Sequence, residues 1–314
     1  MMYLRQWLAA LSLALATQGA FAALANPFSQ LYFFGDSLSD NGNAFLYSGG
    51  VVPDPADYVD GRFSNGPVAA EIMADALGLT LTDFAVGGAK TGEDINGFDS
   101  YIHPLDGTGM QAQVALFSAL LGGSAADPNA LYGVWGGPND YFEVGLTPPE
   151  TVANLVTLIS DLYALGARNF FVPNMPDLGL TPRFVGTANQ GAMTDLAALV
   201  NTLLDGGLAT LQLSLPDARI IPFDTFNFLR GVVDDPVPLD LANVTDACLF
   251  TPSCVGDPDA QSNYLFWDGV HPTAAAHQIL GTAFAEAAVP EPATLPLLAM
   301  AMVALGVLGR QKQR

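Results

Sequence analysis

The chain has 314 residues, 50% hydrophobic and 13% charged, with a net charge of −21 at pH 7. This length is enough to bury a sizeable core, as one large domain or two modest ones. The acidic balance argues against nucleic acid as a partner, because phosphate binding needs a basic surface.

The first 22 residues have the organisation of a secretory signal peptide. Arg5 precedes an apolar run from Trp7 to Ala16, and Ala20-Phe21-Ala22 is typical of a cleavage site. The run lacks the period of an amphipathic helix. We therefore expect residues 1–22 to be removed and the mature chain to begin at Ala23.

Between residues 23 and 289, apolar strand-like runs alternate with helical patterns. The predicted strands are 31–35, 79–86, 131–135, 169–172 and 218–223, and the predicted helices are 67–78, 110–121, 149–165, 191–213 and 273–287. This alternation predicts one domain of parallel βαβ units, a three-layer α/β/α sandwich around a mostly parallel five-stranded sheet. The segment from Asn227 to Asn263 is predicted to be an irregular insertion or long loop.

Short turns of small and polar residues follow the predicted strands. The first turn contains Gly35-Asp36-Ser37-Leu38. Ligands of open α/β sheets bind at the carboxyl ends of the strands, so Ser37 stands where a nucleophile would be useful. A plain structural turn has the same composition, and the choice between the two depends on the rest of the chain.

A nucleophilic serine needs a base, and the chain has three histidines. His277 falls inside the last predicted helix, where a surface or interface position is expected, and His103 lies in an irregular loop away from any strand end. His271 is the best candidate, because Pro272 holds it extended ahead of the helix. Asp268, three residues earlier, is close enough to orient its ring.

Donors for an oxyanion are expected at the same edge of the sheet. The candidates are the backbone N–H of Ser37, the N–H of either Gly87 or Gly88, with Gly88 preferred, and the side-chain amide of Asn139. No HExxH motif, P-loop or Cys/His cluster is present. Neither a metal nor a cofactor is therefore expected.

The two cysteines, Cys248 and Cys254, lie close together in a loop-like stretch. Outside the cytoplasm we expect them to form a disulfide, with two free thiols as the alternative.

The C-terminal residues 290–314 have three parts. Pro290-Glu291-Pro292 precedes an apolar stretch from Leu295 to Leu308 and a tip with three basic residues. The stretch is shorter than the about 20 residues of a stable membrane span. This tail resembles the PEP-CTERM sorting signal of Gram-negative bacteria, which an exosortase-type enzyme processes during export. The resemblance implies a transient membrane contact and a mature protein outside the inner membrane, at the cell surface or in the extracellular matrix; a retained anchor is the alternative.

Four separated blocks resemble, in order, the signature of the GDSL, or SGNH, hydrolase family. They are Gly35-Asp36-Ser37-Leu38, Gly88, Gly137-Pro138-Asn139-Asp140 and Asp268-Gly269-Val270-His271. Residues 61–66 and 172–182 resemble its lipase-like branch, which includes secreted lipases and lecithinases. One departure is Asp83, where many relatives have Asn, and it puts a supporting hydrogen bond in doubt.

The resemblance implies a flavodoxin-like fold and a role for each matching residue. Ser37 is the expected nucleophile, His271 the base with Asp268 behind it, and Gly88 and Asn139 complete the oxyanion hole with the Ser37 N–H. We expect an exported carboxylic ester hydrolase without a cofactor.

Two alternatives to hydrolysis remain, acyl transfer from the same acyl-enzyme and a non-catalytic surface or matrix binding protein on the same scaffold. Short-chain esters, phospholipids and acetylated polysaccharides are all candidate substrates. The pocket that selects among them is expected to be built by the loops 47–60, 94–108 and 230–263.

Overall fold

A central sheet organises the domain. The computed structural model describes residues 27–92, 105–142 and 145–289. The strands of the sheet are β1 (Leu31–Gly35), β2 (Leu81–Asp83), β3 (Leu131–Trp135), β4 (Asn169–Pro173) and β5 (Arg219–Phe223). They lie in the order β2-β1-β3-β4-β5, and every pair is parallel. This is the flavodoxin-like strand order, and it confirms the predicted five-stranded parallel sheet.

Helices connect the strands and flank the sheet. They are α1 (Asn43–Tyr47), α2 (Ala69–Leu77), α3 (Met110–Leu121), α4 (Pro148–Leu165), α5 (Gln190–Ser214), α6 (Thr225–Asp234), α7 (Pro252–Val255), α8 (Pro258–Gln261) and α9 (Ala274–Ala288). The five long helices predicted from the sequence correspond to α2, α3, α4, α5 and α9, with ends that differ by a few residues.

Both faces of the sheet are buried, because successive side chains of a strand point to opposite sides. Phe33 and Trp135 pack in one cluster with residues of α2 and α9. Phe34 and Val134, their neighbours in β1 and β3, pack in a second cluster with α3, α4 and α5. The result is the expected three-layer arrangement, in which the strand ends are the parts of the sheet that the helices leave uncovered.

The segment from Asn227 to Asn263 differs from its prediction. It contains most of α6, whose N-terminus is capped by the Asp224 side chain at 3.1 Å from the Asn227 N–H. It also contains β6 (Asn243–Ala247), which pairs in parallel with β7 (Tyr264–Phe266). The prediction of an irregular loop was wrong because these elements are short and separated by turns, so none of them extends a periodic pattern far enough to be recognised.

Cys248 and Cys254 form a disulfide, as expected. Both cysteines are fully buried and pack against Trp267, which comes directly after β7. The Leu249 N–H also donates to the Trp267 carbonyl oxygen at 2.8 Å. The disulfide loop is therefore fastened to the strand end that leads into Asp268 and His271.

Of the described helices, α5 is the one long and apolar enough to cross a membrane. In the domain, its Ala197, Val200 and Leu204 are buried against the sheet. The predicted signal peptide, residues 1–22, and the predicted sorting tail, residues 290–314, lie outside the described residues.

Candidate active site

Ser37 lies at the carboxyl end of β1, where this strand approaches β3 closely. A Cβ on Gly35 would stand 2.5 Å from the Trp135 carbonyl oxygen, so the last position of β1 requires glycine. The close approach sends the turn after β1 and the turn after β3 to the same edge. Ser37 and Asn139 consequently line one cleft with His271.

Ser37, His271 and Asp268 form a continuous hydrogen-bonded line. His271 Nε2 lies 2.7 Å from Ser37 Oγ, and His271 Nδ1 lies 2.7 Å from Asp268 Oδ2. The other oxygen of Asp268 accepts the backbone N–H groups of Val270 and His271 at 2.9 and 2.8 Å. The turn therefore holds the carboxylate at a fixed position behind the ring, as the sequence predicts.

Tyr58 also binds the Asp268 carboxylate. Its hydroxyl donates to Asp268 Oδ2 at 2.6 Å, the same oxygen that lies next to the His271 ring. The Trp267 indole N–H, 3.1 Å from the Asp57 carbonyl oxygen, ties the two segments together beside this contact. Sequence reasoning missed Tyr58, although the loop that contains it, 47–60, was expected to help build the substrate pocket.

The electrostatic environment keeps Asp268 ionised. Burial alone would raise its pKa, but the charge and hydrogen bond of His271 and the Tyr58 hydroxyl bring the pKa well below its usual range. An ionised carboxylate at this place stabilises a protonated imidazole and selects the tautomer with the proton on Nδ1. The free Nε2 can then accept a proton from Ser37.

Asp36, next to Ser37, is buried with an incomplete set of partners. Its Oδ1 accepts the Leu38 N–H at 3.0 Å, whereas its Oδ2 is buried without a hydrogen-bond partner among the described residues. Burial raises the pKa of Asp36 to about 7. An incompletely paired carboxyl group inside a fold costs stability, so the turn around Ser37 is held at an energetic cost.

The second turn carries the glycine pair. Gly87 N–H donates to Asp40 Oδ2 at 2.7 Å, and a Cβ on Gly87 would collide with the Phe63 ring. Gly88 has a φ of +80°, a conformation that glycine adopts at little cost. In the third turn, the Asn139 side-chain amide donates to the Ala89 carbonyl oxygen at 3.1 Å. The second and third turns are thus joined next to Ser37.

Asp40 joins the first turn to the second, a role that the sequence did not reveal. Besides Gly87, it accepts the N–H groups of Gly42, Asn43 and Ala44 at 2.8, 2.6 and 3.0 Å. Burial raises its pKa to about 6, against the opposing effect of these bonds. The Asp-Asn-Gly-Asn stretch from Asp40 to Asn43 has the composition of an Asx turn, which is the one local signal available.

Asp83, the departure from the family pattern, forms two hydrogen bonds. It accepts the N–H groups of Asn41 and Ala85 at 3.1 and 2.9 Å. Burial raises its pKa well above the usual value, with a further contribution from the nearby Asp40 charge. The position therefore supports the first and second turns as an acceptor.

His277 is buried at an interface between helices, which is one of the two positions expected for it, and it is not at the surface. It lies where α9 packs on α2, and its Nδ1 accepts the Ala69 N–H at 3.1 Å. Burial lowers the pKa of His277 to about 3, so the ring is neutral. It is separate from the cleft of Ser37. His103 lies outside the described residues.

The cleft is bordered by the turns that follow β3 and β4 and by the turn before His271. Pro138, Phe142, Pro176, Thr181 and Val270 line it. Among the described residues, the turns at the strand ends therefore contribute more to its walls than the loops 47–60 and 230–263, which were expected to do so; most of the loop 94–108 lies outside the described residues. Within 27–92, 105–142 and 145–289, no group of three or more His, Cys, Asp or Glu side chains is arranged to hold a metal ion.

Comparison with known proteins gives two matches to family models. GDSL-like Lipase/Acylhydrolase matches residues 31–284, and the PEP-CTERM protein-sorting motif matches residues 288–313. A GDSL esterase/lipase of Arabidopsis thaliana is 30% identical over 307 residues, which cover 80% of this chain and 87% of that protein.

Two bacterial relatives are equally similar in sequence. The thermolabile hemolysin of Vibrio parahaemolyticus is 30% identical, over 78% of this chain and 60% of that protein. The phosphatidylcholine-sterol acyltransferase of Aeromonas hydrophila is 30% identical, over 78% of this chain and 72% of that protein.

Proposed function

This chain belongs to the GDSL-like lipase/acylhydrolase family and carries a PEP-CTERM sorting motif, and on that basis we propose that it is an exported serine ester hydrolase. The observation that carries the proposal is the line of hydrogen bonds from Ser37 Oγ through the His271 ring to Asp268, 2.7 Å at each step. A hydroxyl, a base and an orienting carboxylate in this arrangement are what nucleophilic acyl transfer needs.

In the first half-reaction, Ser37 Oγ attacks the carbonyl carbon of the ester while its proton passes to His271 Nε2. The carbonyl oxygen becomes an oxyanion in the tetrahedral intermediate. When the bond to the alcohol oxygen breaks, the leaving alcohol takes the proton from His271 Nε2. The acyl group stays on Ser37 as an ester.

In the second half-reaction, water takes the place of the alcohol. His271 Nε2 accepts a proton from the water as its oxygen attacks the acyl carbon. The bond to Ser37 Oγ then breaks, and the proton returns from His271 to Ser37. The carboxylic acid leaves and the free enzyme is restored. Asp268 remains ionised throughout and stabilises the imidazolium in both halves.

The oxyanion is bound by the N–H groups of Ser37 and Gly88 and by the Asn139 amide. We assign Gly88 in preference to Gly87 because the Gly87 N–H is already engaged by Asp40. The Asn139 amide carries two N–H donors, and its bond to the Ala89 carbonyl oxygen engages one of them. Donors set in advance at this place are worth several powers of ten in rate.

The mature protein acts outside the inner membrane, at the cell surface or in the extracellular matrix. The sorting motif, the signal peptide predicted at residues 1–22 and the buried disulfide support this location. An exosortase-type enzyme removes the tail, and membrane contact is transient. A mature protein that still carries Leu295 to Leu308 in cell fractions would contradict removal of the tail.

A second candidate activity is acyl transfer to an alcohol. It is favoured by one relative, the phosphatidylcholine-sterol acyltransferase of Aeromonas hydrophila. Transfer uses the same acyl-enzyme, with an alcohol in place of water in the second half-reaction. Product analysis of one ester in the presence of a competing alcohol separates the two, because transfer gives a new ester whereas hydrolysis gives the free acid.

The proposal is tested by labelling and hydrolysis together. An alkyl fluorophosphonate should attach to one serine, and peptide mass mapping should locate it at Ser37. The purified protein should also hydrolyse p-nitrophenyl butyrate, and the fluorophosphonate should abolish this activity. Labelling at another serine, or hydrolysis that survives complete labelling of Ser37, would overturn the mechanism.

A further inference from the structure

A second cavity adjoins the cleft of Ser37. It lies between the turn after β1, helix α6, strand β7 and helix α9, and it is partly open to solvent. Leu38, Pro176, Thr181 and Val270 line both spaces. Leu38 comes directly after the nucleophile and Val270 directly before the base. The two spaces therefore share walls next to the nucleophile and the base.

The lining of this cavity is apolar. Trp135, Phe228, Val232, Leu265 and Ile279 are among its side chains, and none of the described residues that line it is charged. Its polar side chains are two threonines. Thr181 donates its hydroxyl to the Leu178 carbonyl oxygen at 2.7 Å, and Thr225 is buried. Water needs two to four polar partners in such a space, so the cavity is a poor site for water.

We propose that this cavity binds the hydrocarbon chain of the acyl group, so that the preferred substrates are esters of medium or long fatty acids. The inference rests on the proposed function of Ser37 and adds the class of acyl group that it transfers. A hydrocarbon chain matches a lining with no charge and gains free energy for each methylene removed from water.

The acyl chain fits this cavity better than the alcohol does. The acyl chain stays joined to Ser37 through both half-reactions, whereas the alcohol leaves after the first and water must take its place. A dry apolar cavity suits a group that remains through the whole cycle. The alcohol and the attacking water are left with the cleft beside His271.

The cavity also distinguishes the substrate classes that the sequence left open. An acetyl group has no chain to reach past Leu38, so acetylated polysaccharides would leave the cavity empty. A fatty acyl ester or a phospholipid fills it. Because each methylene that enters is worth up to about fourfold in binding, kcat/KM should rise steeply with chain length until the cavity is full.

The first test fills the cavity. Ala276 of α9 is buried and lines it, whereas Ala287 of the same helix is exposed. Ala276→Leu should lower the ratio of kcat/KM for p-nitrophenyl octanoate to that for the acetate by about tenfold, since the added carbons displace one or two methylenes. The matched control, Ala287→Leu, should keep the ratio of the parent. An unchanged ratio in Ala276→Leu would overturn the proposal.

The second test enlarges the cavity and covers the case in which Ala276→Leu does not fold. Ile279, one helical turn further along α9, also lines the cavity. In a series of p-nitrophenyl esters from acetate to palmitate, Ile279→Ala should prefer a longer acyl chain than the parent does. A maximum at the parent's chain length would overturn the proposal.

Binding without chemistry separates this inference from the proposed function. In Ser37→Ala protein, 2-dodecanone, an uncharged ketone that cannot be hydrolysed, should bind measurably by calorimetry, and Ala276→Leu in the same background should weaken binding by about tenfold. If the ketone binds in this way but the parent hydrolyses no ester, the proposed function fails and the cavity assignment stands. If esters are hydrolysed but the ketone does not bind, the cavity assignment fails alone.

Discussion

Two carboxylates at opposite ends of the central sheet, Asp127 and Asp36, lie in different environments. At the amino end, Asp127 is paired in contact with solvent: it accepts the Ser29 hydroxyl at 2.6 Å and the Asn129 N–H at 2.8 Å, and these bonds lower its pKa. At the carboxyl end, Asp36 is buried with one oxygen unpartnered, and burial raises its pKa to about 7.

The difference indicates that the two ends serve different purposes. The polar groups at the amino end satisfy one another and stabilise the fold. Asp36 at the carboxyl end is buried at a cost that the fold alone does not explain, as is common where charged groups are arranged for reaction. The same strands offer matched residues at both ends, Ser29 and Ser37 around β1 and Asn129 and Asn139 around β3, so the contrast can be tested directly.

The largest expected effect is at the serine pair. Ser37→Ala should lower kcat/KM for p-nitrophenyl esters by at least about 10⁴-fold, because it removes the nucleophile. Ser29→Ala should leave the rate unchanged and cost at most about 1 kcal/mol of stability through its lost bond to Asp127. Both are measured by initial rates and thermal unfolding. Equal rates in the two variants would contradict the assignment of the reaction to the carboxyl end of the sheet.

The asparagine pair comes next. Asn139→Ala should lower kcat by about 10²- to 10³-fold, as the loss of one oxyanion donor does. Asn129→Ala is the control, since it keeps the backbone N–H that binds Asp127. Steady-state kinetics with one ester, at saturating and at low concentration, gives kcat and KM separately. If Asn139→Ala changes only KM, the amide binds substrate and does not stabilise the oxyanion.

Tyr58→Phe tests the hydroxyl group that binds Asp268 at the carboxyl end of the sheet. Removing the hydroxyl should lower kcat/KM about tenfold, since a hydrogen bond to a charged group contributes roughly 1.5–3 kcal/mol and part of this orients Asp268. It also leaves the full charge of Asp268 facing His271, so the acid limb of the pH–rate profile should move to higher pH. Tyr47→Phe, a partly exposed tyrosine of the same segment, is the control. If the acid limb of the profile stays at the pH of the parent, Tyr58 contributes packing and does not act on the charge of Asp268.

Asp36 and Asp127 should change the stability of the fold with pH in opposite directions. Because the pKa of Asp36 is higher in the folded than in the unfolded chain, its contribution to stability is full below about pH 4 and is lost as pH rises through about 7. Asp36→Asn should therefore gain stability relative to the parent between pH 4.5 and 7.5, by roughly 3 kcal/mol.

For Asp127→Asn, the change of stability with pH relative to the parent should have the opposite sign and be smaller. The folded pKa of Asp127 is lowered, so its contribution is present above the unfolded pKa and is lost as pH falls below it. Urea unfolding of both variants and the parent from about pH 2 to about pH 8 measures the two trends, because the change expected for Asp127 lies below an unfolded pKa of about 4. Trends of the same sign would contradict the contrast between the two ends.

The sheet and the residues of the reactive end could be predicted because their signals are local. β1 and β3 have the bounds expected from their apolar runs, Leu31–Gly35 and Leu131–Trp135, and each of these runs ends in a turn of small residues. Parallel strands bring such turns to one edge, so Ser37 and Asn139 were placed together without knowledge of the packing.

Other features depend on contacts between distant segments and could not be predicted. Tyr58 meets Asp268 across 210 positions, and nothing in the sequence around either residue indicates the other. The burial of His277 follows from the packing of α9 on α2. The apolar cavity is likewise formed by four elements, one of which, α6, lies in a segment that was predicted to be irregular.

The separation of Ser37 and His271, 234 positions along the chain, has a consequence for folding. The nucleophile and the oxyanion donors come from the first half of the chain, but the base comes from its last turn before α9. Closing so large a loop is entropically costly and tends to be slow. A nascent or truncated chain that ends before Asp268 holds the serine without its base. During refolding, recovered esterase activity should therefore report the docking of the C-terminal segment, a later event than the formation of the sheet.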